Sequence, residues 1–68
     1  MDSYRHKKSG GRYWLLHDDA LIEATMTPAV VYMATDGEHA GQKWVRPKAE
    51  FFDGRFVKEP KGPSTNVG

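Results

Sequence analysis

The chain contains no cysteine. No disulfide can staple it, and no thiolate can hold zinc or attack a substrate. It also lacks a long hydrophobic run. The longest apolar stretch, AVVYMA at residues 29–34, falls far short of the roughly 20 residues a membrane-spanning helix needs. No apolar leader stands at the N-terminus, so the expectation is a soluble, cytoplasmic protein with no membrane partner. Neither charge dominates. Ten Lys and Arg face nine Asp and Glu, a formal net charge of +1. That removes the broad positive field on which non-specific nucleic-acid binding rests. No repeat and no heptad is present.

The residue patterns of catalysis and metal binding are absent as well. His6, His17 and His39 form neither HxxxH nor HExxH, and metal ligands must cluster. Ser3, Ser9 and Ser64 lie near the ends or in a glycine turn, outside any nucleophile-elbow context. Asp18 and Asp19 are adjacent, so on a strand they point to opposite faces. Ser9-Gly10-Gly11-Arg12 is too short for a phosphate-binding loop and opens no helix. The expectation is therefore a non-enzyme with no metal and no cofactor.

Short strands punctuated by turn residues make up the rest of the chain. Its 68 residues make one domain, of a size that buries only about 60% of the surface its unfolded chain exposes. Residues 4–7 begin a strand, and Ser9-Gly10-Gly11 turns it. Residues 12–17 run back, with Tyr13 and Leu15 on one face and Trp14 and Leu16 on the other. Residues 18–27 (DDALIEATMT) read as an extended continuation followed by a loop; a helical turn capped by Asp18 or Asp19 is the alternative. Residues 29–35 are β-branched, aromatic and apolar on both faces, as a central strand requires. Residues 42–46 form the next strand, which Pro47 stops. Residues 48–52 have room for one helical or 3₁₀ turn. Asp53-Gly54 turns the chain into a last short strand at 55–57. The expected fold is all-β: a small SH3-like barrel or a strongly bent antiparallel sheet with one short helical turn. It occupies residues 1–58, followed by a disordered Pro- and Gly-rich tail over 59–68.

Tyr4-Arg5-His6, Val30-Val31-Tyr32, Trp44-Val45-Arg46-Pro47 and Phe51-Phe52 together resemble a small domain family of unknown function found in bacteria and their phages. Its pattern runs YRH … VVY … WVRP and then a phenylalanine turn. The resemblance covers residues 4–57 and implies a small β-barrel-like fold with no established activity. Residues 18–27 depart from the family pattern, in which a His-Ser-Glu-Thr-like stretch stands at that place.

Trp44 and Arg46 share one face of their strand, and Val45 is expected to face the core. An aromatic platform beside a guanidinium suits a base and its phosphate. The opposing reading makes Trp44 a lid on the core, with the Arg46 stem laid over it. Tyr4, Arg5 and His6 join the candidate ligand-binding residues Trp44 and Arg46 if the first strand lies alongside. Phe51 and Phe52 are read as the plug of an open barrel end. The functional expectation is a non-catalytic binding module of phage or bacterial origin. Its ligand carries phosphate, as nucleic acid or nucleotide. The alternative is a protein-interaction module, such as a phage protein that inhibits a host or defence factor. Self-association into a homo-oligomer is open to a chain this short.

Overall fold

The computed structural model describes residues 2–59. Residues 60–68 of the expected tail lie outside the described residues, but Glu59 does not belong to a tail: it closes the last strand. The elements are β1 (Asp2–His6), β2 (Arg12–Ile22), β3 (Thr27–Ala34), β4 (Lys43–Pro47), the single-turn helix α1 (Lys48–Phe51) and β5 (Phe56–Glu59). Every pairing is antiparallel, in one five-stranded sheet of order β4-β3-β2-β1-β5. No helix among the described residues is long and apolar enough to cross a membrane.

Local chemistry sets the boundaries. Between β1 and β2 the chain folds back at Gly10, whose φ of +78° is open to glycine at no steric cost. The His6 and Gly11 backbones close this turn: the His6 N–H donates to the Gly11 carbonyl at 2.9 Å and the Gly10 N–H to the His6 carbonyl at 2.8 Å. Pro47 pairs opposite Ala29 as the last residue of β4. With no N–H to donate, it ends the ladder and starts α1, which the Phe52 N–H closes on the Lys48 carbonyl at 3.1 Å.

Residues 18–27 are extended to Ile22 and then turn, and the helical alternative is not formed. The register of β2 on β3 slips between Leu15 and His17 and again between His17 and Ala20. These bulges absorb Leu16, Asp18 and Asp19. Beyond them Leu21 and Ile22 pair with Pro28 and Thr27 alone, so the β2–β3 hairpin projects past the sheet as a two-stranded arm. Met26 in its turn has a φ of +56°, a region non-glycine residues seldom adopt.

One face of the sheet holds the core. Cross-strand pairing puts Tyr4 opposite Tyr13, Leu15 opposite Tyr32, Tyr32 opposite Trp44, Val30 opposite Arg46, and His6 opposite Phe56. Directly opposed residues share a face. Phe51 swings in from α1 and is fully buried. Its ring stacks on Phe56 at 4.3 Å between centroids and meets Tyr4 and Tyr32 at 5.0 and 5.1 Å. Phe52, expected to share the plug, is half-exposed.

The sheet curls but does not close. Among the described residues no ladder joins β4 to β5, so the hydrogen-bonded barrel is not formed. Laid flat, the two edge strands would stand about 19 Å apart, four strand spacings. Yet the Arg46 guanidinium carbon on β4 lies 5.5 Å from the ring centre of Phe56 on β5. Side chains bridge the opening that backbone pairing leaves.

The expected inward direction of Val45 is reversed. Val45 pairs opposite Val31 on the outer face and is 61% exposed. Strand parity forces this once Trp44 and Arg46 turn toward the core.

Candidate functional site

The concave face opens into a cleft of about 250 Å³ lined by His6, Ser9, Tyr13, Tyr32, Trp44, Arg46 and Phe56. Five strands and one turn of the sheet converge to supply these groups. His6, Trp44 and Arg46, three residues singled out by their sequence context, meet here although β1 and β4 are not neighbours. The curl of the sheet unites them, not strand adjacency.

Arg46 is the cation of the cleft. Its Nε–H donates to the Tyr32 hydroxyl at 3.2 Å, and its guanidinium carbon lies over the Phe56 ring, 5.5 Å from the centroid. Its Nη1 stands 3.9 Å from Glu50 Oε1, too long for a tight pair. The Tyr32 bond holds the guanidinium more firmly protonated than a free arginine; partial burial opposes this, and Glu50 and Asp53 reinforce it. With its side chain 28% exposed, Arg46 is held in place yet reaches solvent.

Trp44 is 39% exposed and stands at the mouth, where the His39 ring meets it edge-on at 5.9 Å. His6 forms the opposite wall. Its Nδ1 accepts the Ser9 N–H at 3.3 Å and lies 3.1 Å from Ser9 Oγ. A backbone N–H can only donate, so Nδ1 carries no proton in this arrangement and the neutral ring is the Nε2–H tautomer. The ring also rests edge-on against Phe56 at 4.9 Å. Gly11 belongs to the same construction: a Cβ there would lie 3.1 Å from the Tyr13 hydroxyl and 3.4 Å from Ser9 Oγ, so a side chain would crowd both.

Tyr4 and Arg5 do not line this cleft. Tyr4 is buried in the core beneath Phe51. Arg5 alternates with Tyr4 and His6 and so points to the outer face. There its Nε meets Glu59 at 3.0 Å, and Arg12 meets the same carboxylate at 3.6 Å. Because its side chain projects from the outer face of the sheet, Arg5 does not join Arg46 on the concave one.

Tyr13, Tyr32, Phe56 and Ser9 also line the cleft; the sequence offers Tyr32 only as part of the Val30-Val31-Tyr32 strand and Ser9 only as a turn residue, not as ligand-binding groups. Period-two parity was the available signal for the tyrosines, since each shares its strand's inward face with an apolar neighbour, Leu15 or Val30. Among the described residues no group of three or more His, Asp or Glu side chains converges to hold a metal ion. Comparison with protein-family models, with curated proteins and with solved structures gives no match. The functional reading therefore stands on the geometry of the cleft.

Proposed function

We propose that the protein is a non-catalytic binding module that takes a phosphate-bearing ligand, nucleic acid or nucleotide, in the cleft between Trp44, His6 and Arg46. The observation that carries this reading is the Arg46 guanidinium laid on Phe56 inside an aromatic-lined opening. An empty aromatic cage would attract a ligand cation. Here the protein's own cation already occupies the ring face, and the charge left to match is negative. Trp44 and Tyr13 offer flat surfaces for a base, and every base has a π-face. At about 250 Å³ the cleft suits one ring system and lies below the usual range for larger ligands. A curl of the SH3-like kind, left open where β4 faces β5, is the architecture we assign to this cleft. The resemblance of the YRH, VVY and WVRP segments to the bacterial and phage domain family agrees with such a fold.

The test is direct binding of mononucleotides and short oligonucleotides at rising salt, with wild type and Trp44→Ala. Binding that weakens with salt and falls at least tenfold in Trp44→Ala supports the reading. Equal binding by both proteins removes Trp44 from the site.

A second reading, a protein-interaction module, rests on the hairpin arm. Leu21 and Met26 there are 54% and 63% exposed, and Met26 holds its left-handed φ at the tip. Exposed apolar groups on a projecting hairpin whose turn holds a positive φ suit a contact surface. Sedimentation of wild type and of Leu21→Ser/Met26→Ser tests whether the arm pairs two copies. Concentration-dependent association that disappears in the variant supports it; a wild-type monomer at every concentration removes it.

A further inference from the structure

Beside the cleft, and sharing His6 with it, lies a second depression of about 320 Å³ lined by His6, Lys7, Lys8 and Arg55. The fold builds it from the β1–β2 turn and the approach to β5. The Lys7 N–H donates to the Arg55 carbonyl at 3.0 Å, which ties the basic turn to the basic end of β5. Among the described residues no carboxylate lies within ion-pair distance of Lys7 or Lys8. Arg55 is paired with Asp53 at 3.0 Å, and Glu50 stands 4.0 Å from it, as loosely as from Arg46. Glu50 thus stands between Arg55 of the depression and Arg46 of the cleft. The two depressions adjoin at the His6 imidazole, which lines both: one is aromatic with Arg46 as its cation, and the other is basic with no ring besides His6.

We infer that the two depressions together bind single-stranded nucleic acid. One unstacked base enters the Trp44 cleft near Arg46, and the backbone phosphates that follow it cross His6 onto Lys7, Lys8 and Arg55. This rests on the cleft reading above and extends it from one nucleotide to a strand. A free mononucleotide would leave the second depression empty. A duplex keeps its bases stacked and paired, and offers none to a cleft that must surround a ring. The near-neutral net charge fits a short binding track, since only Arg46, Lys7, Lys8 and Arg55 are in use.

The experiment measures affinity for single-stranded DNA and RNA hexamers, for a duplex of the same sequence and for the mononucleotide. It uses wild type, Trp44→Ala and Lys7→Ala/Lys8→Ala, with thermal melts to establish that each variant is folded. In wild type the hexamer should bind at least tenfold more tightly than the mononucleotide and than the duplex. The double lysine variant should lose most of the gain from monomer to hexamer. Its salt slope should fall by about 0.7 for each phosphate that is no longer neutralised. The DNA and RNA arms identify which strand is preferred. A hexamer no tighter than the mononucleotide, or one that binds the double variant as well as wild type, overturns the strand inference and leaves the Trp44 cleft standing. A duplex bound as tightly as the single strand also overturns it. If wild type binds none of these ligands, the cleft reading fails and the strand inference fails with it.

Discussion

The guanidinium carbon of Arg46 lies 5.5 Å from the centre of the Phe56 ring, and this pairing spans the gap between the two edge strands of the sheet. One side chain therefore has two duties. It closes the curl, and it places a cation in the cleft. Arg46→Ala should cost about 1–2 kcal/mol, because it removes both the cation over the ring and the bond to Tyr32. A domain of this size would then melt several degrees lower while still folding. Phosphate-ligand affinity should fall at least tenfold. Arg46→Lys restores the charge but not the planar guanidinium or its Nε bond, so it should recover only part of each loss. Calorimetric melts beside titrations separate the two duties. A lower melting temperature with unchanged affinity would leave Arg46 a structural residue only.

Glu50 stands 3.9 Å from Arg46 and 4.0 Å from Arg55, so it competes with an incoming anion for both. Glu50→Gln should strengthen phosphate-ligand binding about twofold to tenfold. Its effect on stability should stay within about 0.5 kcal/mol, as for an exposed pair four residues apart. Titration and denaturation of the same sample check both. Weaker binding in Glu50→Gln would show that the carboxylate helps the ligand instead of opposing it.

Phe51 and Phe52 are adjacent in sequence and unequal in the fold. Phe51 is fully buried and touches Tyr4, Tyr32 and Phe56. Phe51→Ala should cost about 3–5 kcal/mol, comparable to the whole stability expected of so small a domain. Its cooperative melting transition should vanish or move near room temperature. Phe52→Ala should cost about 1 kcal/mol, because half of that ring already meets solvent. Circular-dichroism melts decide this, and equal losses in the two variants would contradict the packing described above.

Alkaline pH tests the burial of Tyr4. Burial raises its phenol above the ordinary value of 10.0; Lys58 opposes this, and Asp2 and Asp18 add to the rise. Above about pH 10 the unfolded chain releases this proton while the folded one keeps it. The folded state then binds more protons, so stability falls as pH rises through the folded value and is fully retained below the unfolded one. Tyr4→Phe should lessen that decline. Urea denaturation of both proteins at pH 9 and pH 11 makes the comparison, and identical pH dependence would place Tyr4 in solvent.

Much of the fold was legible because its signals are local. Gly10, Pro47 and Asp53-Gly54 mark turns and stops through backbone chemistry that any fold must obey. Parity placed Trp44 and Arg46 on one face, but parity cannot say which face is buried. The polar head of Arg46 suggested the outside, whereas its stem and the Trp44 ring cover the core and leave Val45 exposed. Strand order was not legible either, because pairing between distant segments leaves no mark within a strand. Tyr4 and Arg5 belong with Arg46 only if β1 lies alongside β4; instead Tyr4 is buried and Arg5 turns outward, while His6 reaches the cleft through the bend of the sheet. The bulges at Leu16 and at Asp18-Asp19 shift the register of β2 without any glycine to announce them.

The two tryptophans of the chain provide the most direct test, because the sheet separates them. Trp44 lies opposite Tyr32 on the cleft face, and Trp14 lies opposite Met33 on the other. Each indole N–H gives its own signal in a nitrogen–proton correlation spectrum. On titration with a short single-stranded oligonucleotide at low salt, the Trp44 indole should shift together with the amides of His6, Ser9 and Arg46, while the Trp14 indole stays in place. A titration that moves neither indole, or moves only that of Trp14, would contradict the cleft as the binding site.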